Sequence, residues 1–199
     1  EAGFRGGLYP ISPEHREILG RQCYKTLADV KATIDLAIIA TPAKTVVEIM
    51  QSCGEHGVSA AIVLSAGFRE VGGQGEKLEQ ALVNTARHYG IHLLGPNCLG
   101  LMRPGIGLDA TFQDAFASDG RLALISQSGA LCTAILDWSK PHNLGFSAVI
   151  SLGNASDVDF GDILDYLVVD QNTDAILLYV EGIHDARAFM SGLRRVARV

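Results

Sequence analysis

Short apolar runs alternate with longer amphipathic stretches along most of this chain, and turn residues mark each change. Leu36–Ala40 (LAIIA) reads as a buried strand, stopped by Thr41-Pro42-Ala43, and Thr45 to His56 follows with helical spacing. Ala60–Leu64 (AAIVL) is the next strand. It ends at Ser65-Ala66-Gly67-Phe68, ahead of the glycine-rich Gly72-Gly73-Gln74-Gly75. From Glu76 to Tyr89, the residues Leu78, Leu82, Ala86 and Tyr89 fall on one face of a helix. Ile91–Leu94 is a further strand, closed by Gly95-Pro96-Asn97. The alternation breaks between Met102 and Gly120, where Pro104, Gly105, Gly107 and the polar run Gln113–Gly120 read as an inter-domain connection. It then resumes, with strands at Arg121–Ser126, Phe146–Leu152 and Ala175–Val180, and helices at Gly129–Ser139, Phe160–Val169 and Asp185–Arg198. Leu8–Ile11 reads as one more strand.

Strands that alternate with helices imply parallel pairing in a doubly wound α/β sheet. Right-handed crossovers then bring every strand C-terminus to one edge, where such sheets bind ligands. The expected layout is a first unit over residues 1–102, a connection over 103–120 and a second unit over 121–199. Both units look incomplete. No GxGxxG-type loop precedes Leu8, and no strand follows the last helix.

Composition narrows the class. With 48% hydrophobic and 19% charged residues, the chain can build a substantial core and is not a disordered segment. A net charge of −6 without a basic stripe argues against a nucleic-acid binder. The cysteines, Cys23, Cys53, Cys98 and Cys132, are widely spaced and form no CxxC pair. Reduced thiols in a cytoplasmic protein therefore fit better than a zinc site or a disulfide framework. No apolar run is long enough to span a bilayer, and Glu1-Ala2-Gly3-Phe4-Arg5 is not a signal peptide.

Candidate chemistry sits in the loops after the strands. Pro96 and Asn97 offer a fixed backbone and a ligand-facing amide, or simply a turn. Ser65, Ala66, Gly67 and Phe68 combine small residues that let a backbone approach a ligand closely. Ser126-Gln127-Ser128-Gly129-Ala130 joins a strand to a helix; a helix N-terminus of this kind suits phosphate, and Ser128 equally suits an N-cap. Gly153 to Asp159 forms an Asp-rich turn, read as a helix cap ahead of a magnesium site. Glu181 stands at a strand C-terminus, where a carboxylate can orient a histidine or accept a proton. None of His15, His56, His88, His92, His142 and His184 falls in a triad-like or metal-like spacing.

Taken in order, ATPA (Ala40–Ala43), LSAGF (Leu64–Phe68), LLGPNCLGL (Leu93–Leu101), ISQSGA (Ile125–Ala130), SLGN (Ser151–Asn154) and YVEGI (Tyr179–Ile183) resemble the ADP-forming acyl-CoA synthetase superfamily. That superfamily includes acetate–CoA ligase and the α subunit of succinyl-CoA synthetase. DATF (Asp109–Phe112), AILDW (Ala134–Trp138) and LLYVEGIHDARAFM (Leu177–Met190) further resemble the bacterial branch fused to a GNAT acetyltransferase.

The resemblance implies a Rossmann-like CoA-binding domain followed by a flavodoxin-like succinyl-CoA-synthetase domain. It implies CoA against Thr41, Pro42, Ser65, Ala66, Gly67, Phe68, Pro96 and Asn97. Phosphate would lie at Ser126, Ser128, Gly129, Ala130 and Asn154, and Glu181 would support a catalytic histidine that carries phosphate. That histidine, the ATP-grasp domain, and ATP or ADP with Mg2+ would belong to the longer protein. Partners would be a small carboxylic acid or acyl-CoA, the remaining ligase domains and, in the fused branch, an acetyltransferase domain; assembly into a homo-oligomer is left open. Three functions follow as expectations: part of an acid–CoA ligase, a regulatory acyl-CoA-sensing module of a lysine acetyltransferase, or an unrelated NAD-binding domain.

Overall fold

The computed structural model describes residues 3–114 and 116–198. Glu1, Ala2, Ala115 and Val199 lie outside the described residues, and with them the ends of the N-terminal reading and one position of the expected connection. After a small antiparallel hairpin, β1 (Glu17–Ile18) and β2 (Arg21–Gln22), the chain enters a parallel sheet of three strands. These are β3 (Leu36–Ile39), β4 (Ala60–Val63) and β5 (His92–Leu94), in that spatial order. Helix α1 (Ala43–Glu55) links the first two and α2 (Gln74–Tyr89) the last two. Val46, Met50 and Cys53 of α1 recur at helical spacing and are buried. On α2 the buried positions include Leu82, Val83 and Ala86, and the helix stops at Gly90 in the left-handed conformation. Both helices pack on one face of the sheet, against Ile39, Ala61, Val63 and Leu93.

The second sheet has five strands in the order β10-β8-β9-β6-β7. Here β8 (Asp119–Ser126), β9 (Phe146–Ser151) and β10 (Ala175–Tyr179) are parallel, with β8 central among them. β9 is buried at every position, as expected of a strand covered on both faces. On one face, Cys132 and Leu136 of α3 (Gly129–Ser139) pack against Leu124 and Val149. On the other, Phe160 and Leu164 of α4 (Phe160–Leu167) and Phe189 of α5 (Ala186–Val196) pack against Ile125 and Ile150. The α/β class, with two consecutive units that each carry a parallel sheet, matches the expectation.

Two readings are corrected. Residues 103–120 are not a bare connection. β6 (Gly100–Arg103) and β7 (Leu108–Thr111) form an antiparallel hairpin, and β6 pairs with β9, so the hairpin extends the second sheet. Pro104 and Gly105 belong to a single 3₁₀ turn that closes at Gly107, φ 66°, and Met102 and Ala110 are core residues. Leu8–Ile11 does not form a strand. Ile11 makes one isolated bridge to Tyr24, and Pro10 has no N–H to extend a ladder.

The face of the first sheet opposite α1 and α2 is covered by the second unit. Ile62 and Leu94 share a core with Ala110, Ile150, Leu152 and Phe160. Five residues, 95–99, carry the chain from β5 in one sheet to β6 in the other.

Candidate functional site

The three loops singled out in the first unit lie together because β3, β4 and β5 are parallel and adjacent. Ser65 Oγ donates to the Thr41 carbonyl, and Asn97 N–H donates to the Ser65 carbonyl at 2.9 Å. Thr41, Ser65 and Asn97 thus form a continuous hydrogen-bonded edge. Gly67 holds φ 108°, and a Cβ there would meet the Ala43 Cβ at 3.1 Å. A side chain would therefore close the space between this loop and the start of α1. Helix α1 begins after Pro42 with no side-chain cap, so its first N–H groups point out of the edge. Phe68 is the exception among the candidates: it is fully buried under α1 and α2 and serves the core.

Helix α2 approaches the same loop closely. A Cβ on Gly75 would lie 1.9 Å from the Phe68 carbonyl oxygen. Glu70 turns back, and its Oε1 accepts N–H bonds from Gly67 and, at 3.0 Å, from Phe68. Burial alone would raise the Glu70 carboxyl. Hydrogen bonds from the Asn154 amide and from the Gly67 and Phe68 N–H groups outweigh it and hold the group below its ordinary value.

In the second unit, Ser126 and Ser128 are less free than their sequence suggests. Ser126 is fully buried; its Oγ accepts from Ser128 N–H at 3.0 Å and donates to the Ser128 carbonyl at 2.9 Å. Ser128 Oγ caps α3 by accepting from Leu131 N–H at 3.3 Å. The N–H groups of Gly129 and Ala130 have no hydrogen-bond partner among the described residues. They stand at the positive end of an eleven-residue helix, a suitable donor pair for an anion.

Gln127 links this loop to Glu181. Its Oε1 accepts from Glu181 N–H at 2.7 Å and Gly182 N–H at 3.0 Å, while its Nε2 donates to the Gly182 carbonyl at 2.9 Å. Glu181 itself is exposed. The sequence reading passed over Gln127, although its place between two candidate serines was a visible signal.

Asn154, expected at the phosphate, joins the two units through its own hydrogen bonds. It is 7% exposed, and its side chain is fully engaged. Nδ2 donates to Glu70 Oε2 and Glu79 Oε2, each at 2.8 Å, and Oδ1 accepts from Asn97 Nδ2 at 3.2 Å. Its backbone N–H donates to the Pro96 carbonyl at 2.9 Å, and Arg69 Nη2 donates to its carbonyl. Glu79 also accepts from Arg69 N–H at 3.0 Å and from Ser156 Oγ at 2.6 Å. Sequence reasoning missed Glu70 and Glu79. Glu79 had a signal, a carboxylate on the face of α2 that carries Leu82, Val83 and Ala86. Asp159 caps α4 in a capping box with Asp162, as expected of that turn.

A cleft of about 640 Å³ opens behind this network, between α2 and the starts of α4 and α5. None of the residues expected to bind CoA or phosphate lines it. Most of its carboxylates are already in use: Asp159 and Asp185 cap helices, and Asp157 accepts from Leu93 N–H at 3.1 Å and pairs with Arg87 at 3.6 Å. No helix among the described residues is long and apolar enough to cross a membrane.

Residues 4–104 match the family described as CoA binding domain, just over half of the chain. The chain belongs to the CoA-binding domain family. Residues 119–199 match the succinyl-CoA ligase like flavodoxin domain, so each unit has its own family match. The acetate–CoA ligase (ADP-forming) I of Archaeoglobus fulgidus is 47% identical over 98% of this chain and 28% of its own length. The α subunit of acetate–CoA ligase (ADP-forming) I of Pyrococcus furiosus is 42% identical over 100% of this chain and 44% of its own. A solved structure of dinucleotide-forming acetyl-coenzyme A synthetase 1 from Ca. Korarchaeum cryptofilum, in complex with phosphate and ADP, aligns with a TM-score of 0.94. It is 40% identical, over 98% of this chain and 42% of that one. The chain therefore spans less than half the length of these synthetases.

Proposed function

We propose that this chain is the CoA-binding portion of an ADP-forming acid–CoA ligase acting on acetate or another small carboxylic acid. The observation that carries the reading is the shared edge. Thr41, Ser65 and Asn97 are hydrogen-bonded into one rim, in a chain whose first half belongs to a CoA-binding family. The fit is chemical as well. The uncapped start of α1 offers backbone donors, and Ala66 and Gly67 leave room for close approach. When bound, CoA supplies the thiol that attacks the acyl carbon. This chain's own part is to orient that ligand along the rim. It also presents the Gly129 and Ala130 N–H groups to a phosphoryl group and holds the Glu181 backbone in place through Gln127. Ser126 and Ser128 shape this anion site through the α3 cap rather than by hydroxyl contact. Glu181 would then serve a histidine in a segment outside this chain, and ATP or ADP with Mg2+ would bind on a separate ATP-grasp unit. The relatives described above carry ligase or synthetase names, so the ligase reading takes precedence over the acetyltransferase-fused one.

Calorimetric titration with CoA and NAD in parallel tests the first half of this reading: heat with CoA and none with NAD is expected, and the reverse overturns it. Exposing the protein that carries this chain to labelled ATP tests the second half. Base-stable, acid-labile label on histidine is expected. CoA binding without such label removes the ligase reading and keeps the CoA site.

A further inference from the structure

One side chain of the second unit reaches both loops of the rim. Asn154 Oδ1 accepts from Asn97 Nδ2, and its backbone N–H holds the Pro96 carbonyl. Its Nδ2 donates to Glu70 Oε2, while the other oxygen of Glu70 gathers the N–H groups of Gly67 and Phe68. The second acceptor for Nδ2, Glu79 on α2, anchors the amide from behind. Gly153 is pressed against the rim as well: a Cβ there would lie 2.4 Å from both the Pro96 and Asn97 carbonyl oxygens. Just upstream, at the end of β9, Ser151 Oγ accepts from Leu99 N–H at 3.0 Å. Asn154 is 7% exposed, so its amide depends on these protein partners, and leaving it unpaired there would be costly.

We propose that Asn154 and Glu70 form a latch between the two units that fixes the Gly67–Phe68 and Pro96–Asn97 loops in the shape CoA requires, making both of them positioning residues for CoA binding. The inference rests on the CoA reading above and adds to it. The rim is shaped by the second unit, and neither latch residue needs to touch the ligand. Glu70 is the informative member because its two oxygens do separate work. In Glu70→Gln, the retained oxygen still accepts from Gly67 and Phe68. The new NH2 group faces the Asn154 NH2, two donors with no acceptor between them.

The test measures CoA affinity by calorimetry and stability by thermal unfolding for wild type, E70Q, N154A and the double variant. R103M, which breaks an ion pair away from the rim, serves as a stability control. E70Q and N154A should each weaken CoA binding about tenfold, within the usual span of coupling between sites. The double variant should bind within about twofold of N154A, because both changes open the same latch. R103M should lose stability and keep the wild-type affinity. Wild-type affinity in E70Q and N154A overturns the latch and leaves the CoA reading standing, as does an affinity loss in R103M that tracks its lowered stability. If wild type itself gives no CoA heat, the reading fails and the latch with it. Glu70 lies at the surface, so E70Q decides the matter even where N154A does not fold.

Discussion

Cys98 lies in the GPNC motif beside the rim, where a thiol invites a mechanistic role, and its surroundings deny it one. Sγ donates to the Val63 carbonyl at 3.4 Å, and burial pushes the thiol up to about 12. Burial likewise raises Cys53 and Cys132, each to about 11. The thiolate is the reactive form, so all three should be inert at neutral pH. Cys23 is the more exposed of the four. A chromogenic disulfide reagent at pH 8 should therefore modify one thiol quickly in the native protein and four after denaturation. Four fast thiols in the native protein would show that the packing around β4 and β8 is looser than described. Residue-scale legibility divides along the same line. Small residues and strand-end positions were readable at Ser65, Gly67 and Asn97, because local chemistry decides them. The commitment of Asn154 was not, since its partners Glu70 and Glu79 are brought near only by the fold.

Elements were most legible where the chain caps itself. Gly129–Ser139 matches the expected helix at both ends because Ser128 sets its start. The β6–β7 hairpin was illegible for the opposite reason. Its four-residue strands are joined by Pro104-Gly105-Ile106-Gly107, and turn residues between short apolar pairs look like a linker until a partner strand is known. Among the elements, the start of α2 carries the sharpest packing constraint. Gly75→Ala places a methyl group against the Phe68 carbonyl, so the helix must shift or the loop must yield. A loss of about 1–3 kcal/mol in urea unfolding is expected, the usual cost of overpacking. CoA affinity should fall with it, because the displaced loop is part of the rim. Wild-type stability in G75A would mean that α2 and the loop are not in contact.

For the molecule as a whole, Arg103 and Asp170 make the best-shielded ion pair, 3.0 Å apart with side chains 17% and 6% exposed. Burial would raise the Asp170 carboxyl. Hydrogen bonds from Arg103, Thr173 and the Asn172 N–H, together with the Arg103 charge, outweigh it and keep the group below its ordinary 3.8. A carboxyl lowered on folding adds stability above its unfolded value, and that stability disappears as pH falls through the folded value. R103M should therefore cost about 2 kcal/mol at pH 7, because Asp170 loses its charged partner and keeps only the hydrogen bonds from Thr173 and Asn172. The gap between variant and wild type should narrow as pH drops below 3.8. A gap that stays constant down to pH 2 in urea unfolding would rule out the pair as its source.

The hairpin also bears on how such proteins recombine. The match to the CoA-binding family ends at residue 104, inside the hairpin, and the flavodoxin-like match begins at 119. Physically, the border between the sheets lies earlier, at the five residues 95–99. A chimaera joined at 104 would import β6 from one parent and β7 from the other, and one joined at 119 would bring the second sheet a foreign edge beside β9. Modules traded intact would have to be cut within the rim itself, through the loop proposed to meet CoA. Exchange between lineages is then expected to carry both units together across that seam.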